Sequence, residues 1–86
     1  MVNANEAIRK AETFAKKVID KSLPNIAVEE VELSEDEKTR LITLGWDEPM
    51  KSVTSSALKS VIGPERIYKV FYVDIESGKV NKMKLR

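Results

Sequence analysis

The sequence predicts an α+β domain, in which an N-terminal amphipathic helix packs on a four-stranded antiparallel sheet in the order α-β-β-(short α or loop)-β-β. Three observations carry this. Residues 4–19 repeat apolar side chains at helical spacing, short β-prone runs replace that period from Asn25 onward, and 86 residues suffice for one small core but not two. Residues 1–86 therefore read as a single domain, with 47–64 as a connecting segment, either a short helix or a flexible loop.

The helix rests on Ala4, Ala7, Ile8, Ala11, Phe14, Ala15, Val18 and Ile19, which form one apolar stripe opposite Arg9, Lys10, Lys16, Lys17 and Asp20. Asn3 and Glu6 have the spacing of a capping box, and Pro24 is expected to end the helix. In "IAVEEVEL", Ala27, Val31 and Leu33 are expected on one face of a half-exposed strand, and "SEDE" then reverses the chain. In "KTRLITLGW", Ile42, Leu44 and Trp46 alternate with Leu41 and Thr43, so a hairpin should join these two strands. The middle stretch is ambiguous. Met50, Val53, Ala57, Leu58, Val61 and Ile62 fit helical spacing between Pro49 and Gly63-Pro64, yet "SVTSS" is a poor helix former. "ERIYKVFYVDI" has apolar residues on both faces, Tyr68, Val70 and Tyr72 against Ile67, Phe71, Val73 and Ile75, and is expected to be a central strand covered on both sides. One side belongs to the helix. The other needs residues 50–62 or a second molecule, and a homodimer through the open sheet face is the expectation if that segment is disordered. "ESG" then makes a tight turn into "KVNKMKL", with Gly78 supplying a positive φ.

Composition narrows function by exclusion. Fifteen basic against fourteen acidic residues leave a formal charge of +1, so no global field draws the chain to nucleic acid or an anionic membrane. The charges are nevertheless segregated: residues 29–37 hold six acids and no base, and residues 79–86 hold four bases and no acid. No apolar run approaches the ~20 residues of a bilayer span. "MVNANEAIRK" does not resemble a signal peptide, so the expected location is cytoplasmic and no membrane association is expected.

With neither histidine nor cysteine, the usual general base, the usual zinc ligands and the Ser-His and Cys-His pairs are missing. A Ser-Lys pair drawn from Lys51 or Lys59 with Ser52, Ser55, Ser56 or Ser60 is outweighed by the ordinary role of serines in a polar connection. Asp74 and Glu76 flank a turn and lack the further oxygen ligands of a calcium loop. The three glycines stand too far apart for a phosphate cradle. No catalytic residue, metal or cofactor is therefore expected.

The amphipathic helix, the hairpin ending in Trp46 and "YKVFYVDIESGKVNKMKLR" together resemble the PepSY-type layout, in which a strand pair is joined by an Asp, a short polar turn and a Gly; Asp74, Gly78 and Val80 are the matching positions. The chain is also similar to small bacterial proteins sharing the "LGW", "YKVF" and "MKLR" landmarks. The resemblance implies a non-catalytic protein-binding module, regulatory or inhibitory. The surface expected to bind is the sheet face around Trp46, Tyr68 and Tyr72, or the exposed edge by strand addition. For Trp46 the ordinary alternative is a core anchor. The competing reading is a nucleic-acid-binding protein that uses Lys82, Lys84 and Arg86 on the last strand with the two tyrosines as stacking platforms. Lysines that protect an edge strand explain the same basic row, which makes a protein partner the leading expectation.

Overall fold

The computed structural model describes residues 1–47 and 66–86. They form one helix, α1 (Ala4–Val18), and four strands, β1 (Ala27–Leu33), β2 (Thr39–Asp47), β3 (Arg66–Asp74) and β4 (Val80–Leu85). The strands make one antiparallel sheet in the order β1-β2-β3-β4, and α1 lies across one face of it, chiefly over β2 and β3. The α+β arrangement read from the sequence is thus the observed one. The proposed helix of the middle segment falls, beyond Asp47, outside the described residues.

The start of α1 is fixed by its cap. The Asn3 side chain accepts from the Glu6 backbone N–H at 2.9 Å, and the Glu6 carboxylate accepts in return from the Asn3 backbone. The helix stops at Val18, before Pro24, so the proline is not what ends it. The chain instead leaves through Ile19 into a turn in which the Asp20 carboxylate accepts from the Ser22 N–H at 3.1 Å. Val18 and Ile19, expected on the apolar stripe, are consequently exposed.

Ala7, Ala11 and Ala15 are fully buried, and their small side chains bring the helix axis close to the sheet. Beneath them lie Ile42, Leu44 and Trp46 of β2 with Phe71 and Val73 of β3. The rings of Phe14 and Phe71 meet edge to face, with centroids 6.1 Å apart at 77°. Val2 and Ile75 tie the N-terminal segment to the sheet by a backbone hydrogen bond of 2.7 Å.

Both outer strands carry a bulge. Val28 pairs with Leu44 and Glu30 with Thr43, leaving Glu29 as an extra residue in β1; Tyr72 pairs with Lys82 and Val73 with Val80, leaving Asn81 extra in β4. The first bulge reverses the parity of β1. Ala27 faces the open side opposite Gly45, whereas Val31 and Leu33 face the helix side, which corrects the grouping of all three on one face. The β3–β4 turn answers its sequence signal: Gly78 has φ 75°, and its N–H donates to the Asp74 carbonyl at 2.8 Å.

Candidate functional site

No described element covers the sheet face opposite α1. Cross-strand register lays out its rows. One runs Glu32, Leu41, Tyr72, Lys82 and the next Glu30, Thr43, Val70, Lys84, while Ala27, Gly45 and Tyr68 form a third beside which the Arg86 N–H donates to the Tyr68 carbonyl. Acid therefore stands at one edge of this face and base at the other, with an apolar and aromatic middle.

The aromatic residues are held in place by their neighbours. A methyl group on Gly45 would lie 2.9 Å from two Tyr68 ring atoms, so the ring rests on the glycine backbone and leaves Tyr68 38% exposed. Lys82 and Lys84 place their ammonium groups 5.4 and 6.0 Å from the centre of the Tyr72 ring. Arg86 and Glu30, from opposite outer strands, meet at 3.6 Å, both half exposed, so side chains from the two edges converge over the central strands. Thr43, midway between those edges, is buried.

Of the residues singled out in the sequence, Tyr68, Tyr72, Lys82, Lys84 and Arg86 come together on this face. Trp46 does not. It pairs with Ile67 on the helix side and is 1% exposed, which corrects its grouping with the tyrosines and leaves it as a core anchor. The cover expected for the second face of β3, residues 50–62 or another molecule, lies outside the described residues; with respect to the described elements Tyr68 is exposed and Val70 and Tyr72 are half buried.

Sequence reasoning missed the cluster that braces one end of the face. The Arg66 guanidinium donates to Asp47 Oδ1 at 3.1 Å, Glu29 Oε1 at 3.2 Å, and the carbonyls of Asn25 and Gly45 at 3.0 and 3.1 Å. Asn25 donates to the other Asp47 oxygen at 2.6 Å. That hydrogen bond and the one from Arg66 hold the Asp47 carboxyl below its usual range, while the Glu29 carboxylate first and Asp47 second raise Arg66. The available signal was positional: Asp47 ends one strand and Arg66 begins the next, so antiparallel pairing sets them opposite each other.

Other carboxylates serve turns. Asp74 Oδ1 accepts from the Ser77 and Glu76 backbone N–H groups at 3.0 and 2.8 Å, and these bonds lower its pKa. Asp36 accepts from the Ser34 hydroxyl at 2.6 Å and the Lys38 N–H at 3.0 Å, and is lowered by the same two contacts. Among the described residues no cluster of three acidic side chains is arranged to hold a metal ion, and no helix is long and apolar enough to cross a membrane.

Two further features lie away from this face. A cavity of about 330 Å³ lies between the start of α1 and the β1–β2 turn, lined by Val2, Leu33, Ile75, Glu6, Glu37 and Arg40, whose buried Nε has no partner. The carboxylates of Glu6 and Glu37 share that lining with the Arg40 guanidinium. On the helix side, Val28, Val31 and Leu33 of β1 are exposed because α1 lies chiefly over β2 and β3. No family model, curated protein or solved structure matches the chain.

Proposed function

We propose that this chain is a small non-catalytic interaction module that docks a protein partner on the open face of its sheet, with Tyr68 and Tyr72 as anchors and Lys82, Lys84 and Arg86 as the basic rim. The observation that carries this is the pairing of half-exposed tyrosines with charged rows of opposite sign on a face left open by the described elements. Aromatic anchors inside a charged rim are the usual anatomy of a protein-binding patch. Asp36, Asp47 and Asp74 support the non-catalytic part. Each is taken up by hydrogen bonds that brace a turn or a strand end and that lower its pKa. The PepSY-like turn from Asp74 to Gly78 points in the same direction.

Nucleic acid is the second reading, favoured by the two lysines flanking the Tyr72 ring. Glu30 and Glu32 in the same rows would repel a phosphate backbone laid across the face. Capture from the host's lysate, with and without nuclease, separates the two. Under the protein reading a partner survives digestion, is lost with Tyr72→Ala, and depends weakly on salt. Recovery of nucleic acid alone, abolished by Lys82→Glu with Lys84→Glu and by high salt, overturns it.

A further inference from the structure

We infer that the partner fitting the open face is a second copy of this chain, related by a two-fold axis that runs parallel to the strands; this rests on the protein-docking reading above. Two sheets can meet face to face by a two-fold lying between them in either of two orientations. An axis perpendicular to the strands sets β1 over β1 and β4 over β4, so acid faces acid and base faces base. An axis parallel to the strands reverses their lateral order and sets β1 of each copy over β4 of the other. Only the second opposes Glu30 and Glu32 to Lys82 and Lys84, and it does so twice, once at each edge.

The rest of the face suits that arrangement. Half-buried Leu41, Val70 and Tyr72 form the middle of the patch around the buried Thr43, and the charges form its rim, the distribution expected of a protein interface. Sheets stacked in this way lie about 10 Å apart with strands within about 30° of each other, close enough for long side chains to interdigitate. The half-exposed Glu30–Arg86 ion pair spans the middle of a single chain. In the dimer both residues exchange this contact for equivalent ones across the interface, at little cost because a solvated surface pair contributes little.

Size sets the expected strength. Four strands spaced about 4.8 Å apart, each with about seven residues at about 3.4 Å, give a planar footprint of about 450 Å² per copy. That is little more than half of the about 800 Å² per partner of a standard interface, which places the dimer in the weak class that forms at high protein concentration.

Sedimentation equilibrium of the full chain over a wide concentration range tests this, with Glu32→Lys and Lys82→Glu as probes. Both sites lie in one row on outer strands, where side chains are exposed, and circular dichroism checks that each variant keeps its fold. Each variant alone replaces two attractions with two like-charge contacts, so its Kd should rise about 100-fold. Mixing the two variants, or combining both substitutions in one chain, should restore a closed dimer. A dimer unaffected by either reversal overturns the inference, as does association that grows beyond two copies. A wild-type monomer at high concentration that still captures a host protein in a Tyr72-dependent way overturns the second-copy partner and leaves the docking face standing. A monomer that captures nothing overturns both.

Discussion

Among the described elements the helix covers one face of the sheet and nothing covers the other, and the contact between Phe14 and Phe71 is where that layering can be measured. Phe71 is fully buried on β3 and Phe14 is half buried on α1, with the rings edge to face. At about 0.8 kcal/mol per buried carbon, partly recovered as leucine refills the space, Phe71→Leu should cost about 2 kcal/mol and the less buried Phe14→Leu about 1. A chain of this length is expected to be stable by about 4–13 kcal/mol, so both variants and the double variant should remain folded enough to titrate. The double variant should be less destabilised than the sum by about 0.5–1.5 kcal/mol, because the second substitution removes a ring that has already lost its partner. Urea unfolding followed by fluorescence reads this directly, since the single tryptophan, Trp46, lies in the same core and moves from apolar surroundings to water on unfolding. Additivity within about 0.3 kcal/mol would refute the helix placement over β3, and with it the identification of the opposite face as the open one.

Gly78→Ala should destabilise by about 1–2 kcal/mol from its left-handed backbone alone, and further because the new methyl would sit 3.1 Å from Val2 Cγ2; thermal unfolding should show a smaller loss for Gly78→Asn. Acid should destabilise the protein from about pH 4 downward. The lowered folded-state pKa values of Asp36, Asp47 and Asp74 give stability that is present above the unfolded value of about 3.9 and lost as pH falls through the lower folded values. A stability-pH curve for Asp74→Asn, which keeps an acceptor oxygen, should be flatter across that range; an unchanged slope would mean that the turn does not hold the carboxylate ionised. Arg66→Gln removes the group that joins β1, β2 and the turn before β1, so amide exchange should accelerate at Asp47, whose N–H donates to the Pro24 carbonyl, while the Asp74 amide should stay protected.

Local chemistry was legible in the sequence, and cross-strand relations were not. Asn3 with Glu6, the alternation of Ile42, Leu44 and Trp46, and the glycine of the last turn each report on a few neighbouring residues, and the structure bears out all three. The end of α1 was misplaced because Pro24 only forbids helix before it, whereas the turn at Asp20 and Ser22 had already diverted the chain. The side-chain direction of Ala27 was misassigned because a bulge has no reliable signature, and one extra residue at Glu29 inverts everything upstream of it. Trp46 could be placed on a face of its own strand from the sequence, but relating that face to Tyr68 and Tyr72 requires the register between β2 and β3. Gly45 shows the same limit: its value lies in admitting the Tyr68 ring from the neighbouring strand, a contact that only the pairing reveals.

Opposite charge on the two outer strands has another potential outlet, because β4 of one copy could pair edge to edge with β1 of the next and extend the sheet. That contact is heterologous and does not close, so charge attraction along the edges would favour fibres. The bulges work against it. Asn81 interrupts the ladder of β4 and Glu29 that of β1, so neither outer strand offers an unbroken row of backbone groups to a partner. Lys82 and Lys84 on β4, like Glu30 and Glu32 on β1, point out of the sheet plane beside the tyrosine rows. An edge-protecting lysine needs only to be charged; it has no need to share its face with aromatic residues or to oppose acids in the same rows. The bulges thus restrict edge pairing while the rows direct the charge onto the face, and face-to-face closure is the association that satisfies both.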